Sequence, residues 1–143
     1  MSNMNISRIL VGGAVAGLIM NVSEAALHAG VLGGDVGRLY QALNVPPPSP
    51  AANVPILIAA TFVLGFVAVW LYAAIRPRFG AGAGTASIAG LVVWVLSHVW
   101  SGVYLGNGYP GIIPARLAWI PVIWGLFEAI LATLAGAALY KER

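Results

Sequence analysis

Residues 54–75 read VPILIAATFVLGFVAVWLYAAI, a stretch without one charged side chain. A helix needs about 20 apolar residues to cross hydrocarbon, so this segment is predicted to span a membrane. Three further runs of the same kind accompany it, about residues 6–32, 85–105 and 114–140. Lipid offers backbone groups no water to bond, so such runs must be helical. The expected fold is all-α, an integral membrane four-helix transmembrane bundle, with residues 1–143 forming one domain. The composition agrees: 8% of the residues are charged, against about a quarter in a soluble domain.

The few charges orient the chain. If the runs alternate in direction, Arg8, Arg76, Arg78, Lys141 and Arg143 fall on one side, and Arg38 and Arg116 on the other. The excess of basic residues faces the cytoplasm, so both termini are expected inside. The net charge of +3 therefore reports topology, and no nucleic-acid partner is expected. The absence of cysteine excludes disulfides, thiolate metal sites and thiol redox chemistry. A rival reading makes the first run a cleaved signal peptide, with Arg8 as its basic start, residues 9–20 as its apolar part and Ser23-Glu24-Ala25 as the cleavage site. Apolar character that continues to Leu32 favours a span.

Between the runs, Gly33 to Asn53 forms the larger outer loop. Asp35 is a fitting N-cap for a short interfacial helix from Val36 to Leu43, with Val36, Leu39, Tyr40 and Leu43 on one face. Pro46-Pro47-Pro48-Ser49-Pro50 stiffens the return, and Asn53 with Pro55 marks the start of the second span. Arg76 to Gly84 reads as a basic hairpin turn. Its glycines lack the strand and the Gly-Lys-Ser/Thr of a phosphate-binding loop. Gly106 to Gly111 carries turn chemistry. Pro121 either bends the fourth span or separates a short turn before it. Trp100, Tyr104, Tyr109, Trp119 and Tyr40 group at the outer boundary, and Tyr72, Phe79 and Tyr140 at the inner one, as membrane-interface belts do.

The chemistry lies inside the spans. The chain has four acidic residues, and two of them, Glu24 and Glu128, sit within apolar runs together with both histidines, His28 and His98. An ionisable group there costs roughly 2.5–3.5 kcal/mol on insertion scales, which makes each a functional candidate. On the first span Gly13, Gly17, Asn21, Glu24 and His28 share one stripe, and Gly13 with Gly17 permits close helix approach. Matching stripes are Thr61, Gly65, Ala68 and Tyr72; Ser87, Gly90, Trp94, Ser97 and Ser101, bordered by His98; and Pro121, Gly125, Glu128, Ala132 and Gly136. These faces are expected to point inward, because lipid offers polar groups no partners.

A rise of about 1.5 Å per residue sets the depths: Glu24 at about 24 Å from the inner end, Thr61 at about 22, His98 at about 21, Asn21 at about 20 and Glu128 at about 18. His28 stands higher, at about 30 Å. A haem held by both histidines within one chain is therefore not expected, since they differ in depth by about 9 Å on parallel helices. Glu24, His28, His98 and Glu128 offer the nitrogen and oxygen donors of a divalent metal site. The paired Glu-x-x-His motifs of di-iron bundles are absent. Hydrolase chemistry is not expected, because side chains at Ser97 and His98 should not face each other on a helix.

Three readings follow. In the leading one, Glu24, His98 and Glu128 are interhelical hydrogen-bonding glue, the carboxyls neutral and donating to Asn21, Ser97, Thr61 or a histidine nitrogen, and the chain is a structural or accessory membrane subunit. In the second, the same groups pass protons in a carrier or pore component, which would need a homo-oligomer or a larger membrane complex to enclose a path. In the third they hold a metal or small molecule. Finally, Val69-Trp70-Leu71-Tyr72-Ala73-Ala74-Ile75-Arg76-Pro77-Arg78-Phe79-Gly80, Asn21-Val22-Ser23-Glu24 and Trp124-Gly125-Leu126-Phe127-Glu128 resemble segments of a group of small uncharacterised bacterial four-span membrane proteins. The resemblance covers most of the chain. It implies a bacterial inner membrane and carries no activity with it.

Overall fold

A computed structural model describes residues 4–142; Arg143, one of the charges used for topology, lies outside them. Among the described residues the chain forms four helices, each long and apolar enough to cross a membrane: α1 Ile6–Ala42, α2 Pro50–Phe79, α3 Ala83–Gly108 and α4 Ala115–Ala138. The protein is an all-α, multi-pass membrane bundle. Its large apolar side chains point outward, as lipid allows: Leu96 is 71% exposed, Ile56 66% and Ile123 65%. The interior is built instead from small residues, and Ala16, Ala68, Ala89, Ala129 and Ala132 are fully buried.

The half of the bundle that holds the start of α1 and the end of α4 is sealed by backbone contact. Gly65 of α2 lies against Gly13 and Gly17 of α1, so close that a Cβ there would overlap the Gly17 backbone. Gly12 and Gly136 meet in the same way, each leaving room for the other's carbonyl oxygen. Small residues permit such approach, and dispersion over the buried surfaces holds the helices together. α1 packs against α2 and α4, and α3 against α2 and α4, while α1 and α3 face each other across the diagonal without backbone contact.

Several boundaries differ from expectation. The first loop is shorter, because the helix continues through Leu32 to Ala42. Asp35 is not an N-cap: it lies inside the helix, where its carboxylate accepts from Arg38 and from Arg116 Nε at 3.1 Å, tying the C-terminal end of α1 to α4. α2 begins at Pro50, whose fixed φ suits the first helical position, and not at Asn53. Arg76 to Phe79 belong to α2 as well, leaving a turn of only Gly80 to Gly82. That turn needs glycine at both ends, since φ is +86° at Gly80 and +131° at Gly82. α3 runs through Gly106 to Gly108, and α4 continues through Pro121 without a separate turn.

Both ends of the described chain meet at one end of the bundle, where the Asn5 backbone N–H donates to the Tyr140 hydroxyl at 3.3 Å. There Tyr72 and Tyr140 are not belt residues. They are buried, packed edge to face at 5.9 Å, with the Arg76 guanidinium over the Tyr140 ring and 3.4 Å from Glu142. Each ring finds a backbone donor inside, so its hydroxyl has no need of the headgroup layer. At the other end Trp100 and Tyr104 do face outward, 69% and 54% exposed.

Two departures from α geometry position the chemistry. α1 passes through a π-helical turn at Leu27–Leu32, and α3 through another at Val95–Val99. The first contains His28 and begins three residues after Glu24; the second contains Ser97 and His98. Turns of this type are rare and frequently mark functional sites.

Candidate cation site in the bundle

Glu24, His98 and Glu128 come together in the bundle, each offering a donor atom, all within 4.8 Å of one another. Three helices supply them. Glu24 leaves α1 and His98 leaves α3, so they meet across the diagonal, while Glu128 enters from α4. His98 packs flat on Gly125, where any Cβ would overlap its ring. That glycine, one turn before Glu128, is what lets the imidazole reach the centre.

Hydrogen bonding assigns the ring's polarity. Ser97 Oγ donates its one proton to the Val93 carbonyl at 2.7 Å, so toward His98 Nδ1, at 2.9 Å, it can only accept. A neutral His98 therefore carries its proton on Nδ1 and presents a bare Nε2 to the interior. That lone pair faces Glu24 Oε1 at 3.5 Å. Adjacent side chains rarely meet on an α-helix, and the expectation that Ser97 and His98 would not is overturned by the π-helical turn that contains both.

Glu24 Oε2 lies 3.1 Å from His28 Nδ1, which also reaches the Glu24 carbonyl oxygen at 3.0 Å. His28 thus touches the site after all, through Glu24. A residue one turn further out leans back toward the helix N-terminus, which offsets most of the rise. Its side chain is 57% exposed, and it is not among the three converging residues. Glu128 is buried, 6% exposed, and its Oε2 has no hydrogen-bond partner among the described residues.

Beside the cluster is a cavity of about 230 Å³. Thr61, Ser97 and Ser101 add hydroxyls to its wall, and Leu105, Leu117 and Pro121 extend it toward the 109–114 loop. Glu128 also borders a second, apolar crevice of about 380 Å³ between α1 and α4, whose walls include Phe127 and Leu131 on the lipid-facing surface. At its polar end Trp124 Nε1 donates to Ser23 Oγ at 2.8 Å. Ser23 and Met20, which touch these spaces, are site neighbours that the polar stripe did not include. Ser23 precedes Glu24, and the i, i+4 spacing of Met20 from Glu24 was the available signal.

Asn21 is not brought to the cluster. Its amide donates to the Gly17 carbonyl at 2.8 Å and reaches Ile58 O at 3.4 Å, a tie between α1 and α2. No family model, curated protein or solved structure matches this chain.

Proposed function

We propose that the protein binds a cation inside its bundle, with Glu24, His98 and Glu128 as the ligating groups, and works in a bacterial cytoplasmic membrane with both termini inside. One observation carries this reading: two carboxylates and the His98 imidazole converge within 4.8 Å, and the buried Glu128 Oε2 among them has no hydrogen-bond partner among the described residues. Acceptors gathered in a medium of low dielectric repel one another unless positive charge lies between them. Interhelical glue has the opposite signature, since a polar network stabilises a bundle only when its members are satisfied.

The sealed inner half supports a site that ends in the bundle rather than a continuous pore. The cavity beside the cluster leads toward the outer end, and the glycine contacts close the other. A bound cation would enter and leave by the outer half or through the crevice beside Glu128.

The test is stability. In Glu128→Gln the amide donates to a neighbouring acceptor and removes one negative charge, so the melting temperature of the purified protein, with chelator present, is expected to equal or exceed that of wild type. A loss of about 5 °C or more, on the order of 1–2 kcal/mol for a chain of this size, would return Glu128 to the role of glue. A fluorescent reporter fused after the last residue is expected to report from the cytoplasm, as the basic residues of that end require. An external signal would reverse the direction from which the site is reached.

A further inference from the structure

We propose that the cation is a divalent first-row transition metal, with zinc the best fit. The assignment deepens the cation-site reading and rests on it. One imidazole nitrogen and two carboxylate oxygens form a borderline donor set. It suits zinc, ferrous iron or manganese; magnesium and calcium take oxygen alone, and cuprous copper prefers sulfur. Among the described residues, sulfur enters the wall through Met20 alone.

The surroundings match what metal ligands require. A metal-bound histidine donates its second ring N–H to a fixed acceptor, which sets the tautomer and aims the free nitrogen. Ser97 is that acceptor for His98, locked in turn on the Val93 carbonyl. A ligating carboxylate is itself held by a hydrogen bond, and His28 Nδ1 lies 3.1 Å from the Glu24 oxygen that faces away from His98. Glu128 adds a carboxylate more than nine-tenths buried, one of whose oxygens has no hydrogen-bond partner among the described residues.

The size is right for coordination after small adjustment. Bonds of about 2.1 Å in a tetrahedron separate ligand atoms by about 3.4 Å. The three donors lie within 4.8 Å, so the ligand atoms need to close by about 1.4 Å, and the two carboxylate side chains carry the rotatable bonds for it. Three protein ligands leave the fourth position toward the cavity, where Thr61 and Ser101 provide hydroxyls. Sites with three protein ligands and one open position are those that bind or activate a further molecule.

The experiment uses the full chain, purified in detergent without an affinity tag and stripped with chelator. Zinc chloride is titrated and read by elemental analysis and by the thermal shift, with magnesium chloride as control. One zinc per chain is expected, with a melting temperature that rises for zinc and not for magnesium. Glu24→Gln, His98→Ala and Glu128→Gln are each expected to bind zinc at least about a hundredfold more weakly. Ser97→Ala, which acts through the ring's orientation, should weaken it about tenfold, and Ser97→Thr should restore it. Glu128→Gln is the variant expected to stay folded, so its thermal melt separates lost binding from lost structure.

Wild-type protein without stoichiometric zinc, or variants that bind it equally, would overturn the metal assignment. If zinc fails while Glu128→Gln keeps or gains stability, the cation reading survives with the proton as its occupant. If zinc fails and Glu128→Gln is destabilised, both readings fall.

Discussion

Gly65→Ala is expected to destabilise the bundle by about 3 kcal/mol, near the upper range for overpacking a core. The added methyl would overlap the Gly17 amide nitrogen and Cα and crowd the Gly13 carbonyl. None of these is the end of a side chain that can swing away. Relief requires α1 and α2 to separate where they now touch, with loss of the contacts that bury Ala16 and Ala68. Thermal unfolding in detergent or bicelles would measure the effect. A change under about 0.5 kcal/mol, the range of an ordinary surface substitution, would mean that the close approach does not support the fold. Gly84, which has nothing around it, is the control, and Gly84→Ala should be nearly neutral.

Gly125→Ala is expected to separate site from fold. Its methyl would overlap Cγ, Cδ2 and Nε2 of His98, and here the obstacle is a side chain that can change rotamer. The ring is displaced from the centre, taking with it the nitrogen that faces Glu24 and the Ser97 bond that orients it. Zinc affinity should fall at least about a hundredfold, comparable with His98→Ala, while stability changes by only about 1 kcal/mol. Retained zinc binding in Gly125→Ala would show that His98 is not a ligand. The contrast with Gly65→Ala is informative, because both glycines are buried helix residues and only the neighbour's freedom to move differs.

Much of this architecture is legible in the order of residues. Four apolar runs define four spans, and the rise per residue puts Glu24, His98 and Glu128 near one level before any packing is known. What stays hidden depends on the hydrogen-bond register within a helix. The two π-helical turns have no compositional mark, yet they decide that Ser97 faces His98. Short polar side chains are hard to place for a related reason: Asn21 bonds the carbonyl four residues back and so leaves the layer its position suggested. The buried face of α3, with Thr85, Ala86, Ala89, Gly90 and Val93, lies about one position from the stripe of Ser87, Gly90, Trp94 and Ser97. In a membrane protein small residues outrank polar ones as core, and an apolar run of Ala, Gly and Val offers several faces of nearly equal character.

The π-helical turns also bear on how such a bundle could change. A turn of this type accommodates a residue beyond what the α register holds, so shortening residues 95–99 by one would let the helix run straight. The segments on either side would then turn by roughly 100° relative to each other. The ends could keep their present packing only if the middle lost its present facing, and His98 would leave the centre. In genetic terms, a regular bundle and this one differ by the gain or loss of single codons in α1 and α3.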